Sequence, residues 1–320
     1  MGVGVGAVEG AGLPVLAVTL PQFTGDPGPA LEACVDARRV GFGGAFVFDH
    51  LWPLGGSRTR PALECWTLLA AVAAEVGRRP GGGFRVGTLV TRAGLRAPAV
   101  VARMAATVGE VAGVPPVVGV GRGDVANRAE NVAFGLPFGD AAERARAVED
   151  TVAALRGPLA AARPTGTPER RSQDLSGLPE VWVGGVGAGA RELAGRVGDA
   201  WNGWGLTPEE LAAGLAGVRE AAEVAGRDPG AVGGSWGGQV LVAEGRREAE
   251  ARLARWGEGR PPTELARVVA GDPETILARL RALGDAGAAW CVLATVGGPG
   301  AEARALLADA AGLPGRERIS

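Results

Sequence analysis

Eight times along this 320-residue chain, a short run rich in β-branched residues gives way to a longer segment whose apolar residues recur at intervals of three and four. Strands separated by helices pair in parallel, so this alternation forces a parallel sheet covered by crossover helices. The strands are predicted at Leu13–Phe23, Ala45–Asp49, Phe84–Thr91, Pro116–Gly121, Glu180–Gly185, Asp199–Trp204, Ser235–Ala243 and Ala288–Thr295. Helices are predicted at Pro29–Val40, Pro61–Val76, Pro98–Val111, Ala141–Leu155, Ala190–Val197, Pro208–Ala225, Pro273–Leu283 and Ala301–Ala311. Capping residues followed by Pro, as in Thr207-Pro208 and Asp272-Pro273, mark several helix starts. Eight strand-helix units predict an α/β chain folded as a closed (β/α)8 TIM barrel, with an open doubly wound sheet as the competing arrangement.

One barrel domain is expected over residues 1–320, interrupted by two insertions. The first, 157–178, is polar and rich in Pro, Arg, Ser and Thr; the second, 245–271, adds a helix and loop before the last unit. Loops of that length act as lids or binding loops in compact domains. A composition of 47% hydrophobic and 21% charged residues excludes a disordered chain, and a net charge of −2 supplies no basic field for nucleic acid or an anionic membrane. The start of the chain has no signal-like apolar core, and the apolar stretch around Thr67–Ala74 is too short to span a bilayer, so a cytoplasmic location is expected. Cys34, Cys65 and Cys291 are far apart, and His50 is the lone histidine, so no zinc site of imidazole or thiolate ligands, and no other metal site, is expected.

In a barrel of this kind, chemistry sits where the strands end at their carboxyl termini. Asp49-His50-Leu51-Trp52-Pro53 follows the second strand. An imidazole with a pKa of about 6.5 takes or returns a proton at neutral pH, which makes His50 the candidate general acid–base group. Asp124, after the fourth strand, offers either a second proton-handling carboxyl or an acceptor for an imidazole N–H. Gly184 to Gly189 leads directly into a helix, whose free N–H groups favour a phosphate. Glycine spacing alone carries little weight here, because 55 Gly in 320 residues produce G-x-G by chance at roughly nine places. Trp52, Trp182, Trp201 and Trp204 are candidates to wall a flat ligand, whereas Trp66 and Trp256 lie on helices and are read as packing.

These segments together carry a resemblance. Asp49-His50-Leu51-Trp52-Pro53, Pro61 to Trp66, Gly87-Thr88-Leu89-Val90-Thr91, Arg96-Ala97-Pro98-Ala99, the Gly119–Asp124 loop with Glu130 and Phe134-Gly135-Leu136-Pro137-Phe138, Val181 to Gly185, and Asp199 to Asn202 resemble, in order, the luciferase-like monooxygenase family. The nearest branch is that of oxidoreductases dependent on the deazaflavin coenzyme F420.

The resemblance implies a dimeric (β/α)8 enzyme with its cofactor in the barrel mouth and a small organic molecule as substrate. It gives His50 the substrate proton and Asp49 a share in holding the cofactor. Thr88, Leu89 and Val90 would form a bulge behind the ring, where relatives often have a non-prolyl cis peptide. Gly121, Gly123, Asp124 and Asn127 would contact the cofactor, and Gly184 and Gly185 its phosphate. Asp124 stands where such relatives carry a second catalytic acid, one methylene longer, and Trp52 and Trp204 would line the substrate pocket. Relatives that oxidise a sugar phosphate clamp it with lysines, and this chain has none, which argues against that substrate. Two other readings share the fold: an FMN-dependent monooxygenase using reduced flavin and oxygen, and a barrel that binds a ligand without catalysis.

Overall fold

The computed structural model describes residues 12–53, 60–79, 81, 83–157 and 178–315. The 157–178 insertion therefore lies outside the described residues except at its two ends. The first half of the fold runs β1 (Val15–Thr19), α1 (Gly28–Arg39), β2 (Gly44–Val47), α2 (Cys65–Gly77), β3 (Arg85–Arg92), α3 (Pro98–Ala112), β4 (Val117–Gly121), α4 (Arg128–Ala133) and α5 (Ala141–Arg156). The second half runs β5 (Glu180–Gly184), α6 (Ala188–Val197), β6 (Ala200–Trp204), α7 (Pro208–Val224), β7 (Gly233–Val242), α8 (Arg246–Gly257), α9 (Pro262–Leu265), β8 (Val269–Gly271), α10 (Pro273–Asp285), β9 (Ala288–Thr295) and α11 (Gly300–Ala310).

Every strand pairing is parallel. Strands β1 to β6 follow one another around the sheet, β9 joins β1 to β7, and the β6–β7 pairing closes the ring. Eight strands thus form the predicted (β/α)8 barrel, while the short β8 is an appendage on the far end of β7. That appendage, with α8 and α9, is what the 245–271 insertion builds. None of the helices among the described residues is long and apolar enough to cross a membrane.

Period-two alternation sorts the strand side chains into two layers. Ala17, Phe46, Val117, Trp182, Ala200, Trp290 and Val292 fill the barrel, and their neighbours Leu16, Val18, Val47, Val118, Val181 and Leu293 face the helices. Three rings dominate the interior. Phe46 stacks on Trp182 at 5.3 Å, and Trp290 meets their edges at 6.3 and 5.8 Å. This aromatic plug makes the barrel a packed cylinder, so ligands are confined to its rim.

Helix α2 begins four residues later than predicted, for a physical reason. The Glu64 carboxylate caps it by accepting the N–H groups of Trp66 and Thr67, and the Leu63 N–H is spent on the Gln22 carbonyl. The strand predicted at Leu13–Phe23 ends at Thr19, just before Pro21, which has no N–H for the ladder. Two of the candidate wall tryptophans belong to the core: Trp182 lies in the plug, and Trp201 packs outward among the helices. Trp66 is buried as packing, and its Nε1 donates to Thr91 Oγ1 at 3.0 Å.

Removing one of the two indoles of the plug leaves a cavity that a closed barrel has little freedom to collapse. Trp182→Ala is expected to lower unfolding free energy by about 3–5 kcal/mol, read from the midpoint of urea denaturation.

Candidate active site

The segment after β2 is fixed by neighbours on both sides. The Gln22 side chain, itself buried, accepts the Phe48 N–H at 2.6 Å and donates to the Phe48 carbonyl at 2.8 Å, which ties the rim of β1 to that of β2. Asp49, 1% exposed, turns inward. Its Oδ2 accepts from Thr91 Oγ1 at 2.7 Å and from the Arg92 N–H at 3.1 Å, and Arg96 grips both oxygens at 2.7 and 3.1 Å. Burial works against the Arg96 charge, but the hydrogen bonds and charges of Asp49 and Glu64 hold its pKa above the ordinary value. The Asp49 carboxylate thereby anchors the loop that ends in His50.

His50 is partly exposed and pairs with Glu130, which is 1% exposed at the base of α4. The Nδ1···Oε2 distance is 3.2 Å. Glu130 also accepts the Leu51 N–H, and Arg92 Nη1 lies 3.1 Å from Oε2. Burial raises the Glu130 pKa, yet the hydrogen bonds from His50 and Leu51 and the Arg92 charge outweigh it and hold the carboxyl below its usual range. An ionised carboxylate only accepts, so in the neutral ring Nδ1 carries the hydrogen and Nε2 keeps the lone pair. The pair therefore fixes the tautomer of the neutral imidazole at the rim.

Asp124 is not the acceptor for the imidazole. Its Oδ1 accepts the Ala126 N–H at 2.8 Å, its own N–H donates to Asn127 Oδ1 at 2.9 Å, and both side chains build the exposed turn before α4. The acceptor for the imidazole is Glu130, six residues further on, because α4 turns that side chain back toward His50. Glu130 stood in the resembling segment without an assigned role, and its helical spacing after a capped turn was the available signal.

The peptide between Leu89 and Val90 is cis, and the β3–β4 register shifts between Thr88 and Thr91. Thr88 is fully buried and donates to the Gly119 carbonyl at 2.9 Å, Leu89 points into the barrel, and Val90 faces the ends of β4 and β5. Gly121 and Gly184 make room for that valine: a Cβ on them would come 2.5 and 2.6 Å from its methyl groups. Gly185, with φ +130°, turns the chain out of β5, and its N–H donates to the Asn202 carbonyl at 3.2 Å. Gly123 turns the loop beside Asn127 at φ +66°.

Helix α6 then opens at Gly187 with no capping side chain. Arg122, from the loop after β4, reaches this opening. Its Nη1 lies 3.0 Å from where a Cβ on Gly189 would stand. A guanidinium over an uncapped helix start is a cradle for an anion. The rim is otherwise aromatic. Phe48 meets Trp204 edge-on at 5.5 Å, and Trp52 meets Phe134 at 6.4 Å, with Trp204 and Phe134 well exposed.

A family profile described as luciferase-like monooxygenase matches residues 18–264. The chain belongs to the luciferase-like monooxygenase family. Among curated relatives, it is 33% identical over 184 residues to a phthiodiolone/phenolphthiodiolone dimycocerosates ketoreductase from Mycobacterium sp. (strain JLS), covering 55% of this chain and 47% of that protein. It is 36% identical over 186 residues to an F420-dependent glucose-6-phosphate dehydrogenase from Beutenbergia cavernae, covering 55% of this chain and 52% of that protein. The chain thus spans about half the length of these relatives. Among solved structures, an F420-dependent secondary alcohol dehydrogenase in complex with an F420-acetone adduct superposes with a TM-score of 0.71 at 18% identity, covering 93% of this chain and 98% of that one. An EDTA monooxygenase from Chelativorans sp. BNC1 gives 0.73 at 16% identity, with 94% and 95% covered. At these identities the likeness is one of fold.

A carboxyl whose folded pKa lies below its unfolded value of about 4.3 adds stability above that pH and loses it as the pH falls through the folded value. Glu130→Gln leaves Arg92 without its buried counter-charge, so a loss of about 3 kcal/mol is expected at pH 7. The gap from wild type should narrow as the pH drops below the ordinary carboxylate range, read from denaturation midpoints at pH 7 and pH 4.

Proposed function

We propose that this member of the luciferase-like family is an F420-dependent oxidoreductase that interconverts a small, uncharged alcohol and its carbonyl form, with His50 handling the substrate proton. The observation that carries the reading is the fixed His50–Glu130 pair at the end of β2, which sets a base with a free Nε2 lone pair on the rim. The named activities of the ketoreductase and of the F420-dependent dehydrogenases support the reaction class.

The rim fits a phosphorylated flavin or deazaflavin. The Val90 bulge, seated against glycines of β4 and β5, gives a flat ring a backing surface, and Arg122 with the α6 start suits its phosphate. When bound, a deazaflavin exchanges hydride with the substrate and does not activate oxygen. The protein's own work is to orient and to move a proton. Nε2 of His50 takes the hydroxyl proton when the alcohol is oxidised and returns it when the carbonyl is reduced. Glu130 keeps Nδ1 protonated and offsets the imidazolium charge, while the Asp49–Arg96 clamp fixes the loop. Phe48, Trp52, Phe134 and Trp204 exclude water and favour an apolar substrate. The chain has no lysine, so the sugar-phosphate clamp of the dehydrogenase relatives is missing. The exposed Val100 and Val111 of α3 support a working homodimer.

The competing reading is an FMN-dependent monooxygenase. Arg122 and the α6 start suit it as well, since a terminal phosphate and a phosphodiester both place an anion there. Titration of purified protein with each cofactor separates the two: uptake of F420 with little FMN binding is expected, and tight FMN with no F420 uptake overturns the proposal. With F420 bound, His50→Ala should lower kcat by about 10²–10⁴-fold while leaving cofactor affinity nearly unchanged. A variant with wild-type turnover would show that the fold binds its ligand without using the histidine.

A further inference from the structure

Arg122 serves two places. Besides standing at the opening of α6, it walls a neighbouring cleft of about 270 Å³ between the loop after β3, the turn before α4 and the first turns of α5. Arg92, Leu95, Asn131, Phe138 and Arg144 also line it. The cleft is electropositive. Its one carboxylate among the described lining residues, Glu143, is already engaged, accepting the Asp140 N–H at 2.7 Å.

The cations are differently placed. Arg144 lies over the Phe138 ring at 4.4 Å, and Arg128 lies over the same ring at 5.2 Å. Stacking occupies the flat faces of a guanidinium and leaves its in-plane N–H groups aimed outward. Among the described residues, Arg122, Arg128 and Arg144 have no carboxylate partner. Arg92, 6% exposed, and Arg144 each retain a buried N–H without a hydrogen-bond partner, at Nη2 and Nε respectively. An orphaned guanidinium donor more than nine-tenths buried beside a cleft is costly unless an acceptor arrives.

We propose that this cleft is a second anion site, which takes the carboxylates of the oligoglutamyl tail that follows the phosphate of a deazaflavin cofactor. Arg144 is its cation, Arg128 stands at its edge over the Phe138 ring, and Arg122 links it to the phosphate position. The inference rests on the deazaflavin reading above and deepens it. A chain whose phosphate lies at the α6 start passes Arg122 directly into the cleft. FMN ends at its phosphate and would leave the cleft without a ligand, so the cleft is where this chain would tell the two cofactors apart.

The test measures dissociation constants of the full chain, by quenching of ligand fluorescence, for three probes: F420 with several glutamates, the same phosphorylated deazaflavin without glutamates, and FMN. The tailed form is expected to bind about tenfold or more tighter than the tail-free form at low salt, an advantage that shrinks as salt rises. Arg144→Ala and the exposed Arg128→Glu should each erase most of that advantage and leave tail-free binding within about twofold of wild type, whereas Arg144→Lys should restore part of it. Arg128→Glu guards against misfolding, because its side chain is already on the surface. Equal affinities for tailed and tail-free deazaflavin overturn the tail site and leave the cofactor reading standing. An equal loss for both forms in the variants also overturns it, placing these arginines in structural support. Binding of FMN alone overturns both.

Discussion

One guanidinium holds the rim around His50 together. Arg92, buried at the end of β3, donates from Nε to the Asp49 carbonyl, from Nη1 to Asn131, and lies in ion-pair contact with Glu130. It therefore ties three separate stretches of chain to one planar fork: the loop after β2, the end of β3, and α4. A lysine, with a single point charge, could not span those directions. Burying this charge costs desolvation, visible as a downward pull on the Arg92 pKa that Glu130 and Asp49 oppose. Such an arrangement persists only when the partners are all in place, so the position of His50 depends on groups from three separate stretches of chain at once.

The barrel makes this economical in sequence. Its interior is filled by Phe46, Trp182 and Trp290, so the strands converge on a rigid cylinder, and the rim can be assembled from loops without a further core beneath it. The bulge at Leu89–Val90 belongs to the same economy. Val90 leans across to β4 and β5, where Gly121 and Gly184 lack the Cβ that would collide with it. Glycines whose spacing invites a reading as ligand contacts are thus first a packing necessity, and any cofactor contact they make is through backbone.

What was legible in the chain follows from which interactions are local. The strand and helix pattern is local, and seven of the eight predicted helix starts fall within two residues of the observed ones. Helix α2 departs because its cap, Glu64, outweighed the proline at position 61 as a start signal. His50 stood out because it is unique and ends a strand. Its partner did not, since nothing in the spacing from 50 to 130 says that α4 turns Glu130 inward and leaves Asp124 on the surface. The tryptophans divide in the same way: strand register sends Trp182 and Trp201 to the two faces of the β5–β6 region, and neither reaches the rim that Trp52 and Trp204 occupy.

By itself, then, the sequence determined a parallel (β/α)8 barrel, its strand ends, and a lone imidazole at one of them, because periodicity and chain connectivity act between near neighbours. Tertiary structure alone decided which carboxylate the imidazole meets, that Asp49 would anchor Arg96, and that Arg122 would bridge a helix start and a basic cleft. Those outcomes rest on the stagger and closure of eight strands, which bring residues 50, 92, 122 and 130 together from loops that no local rule connects.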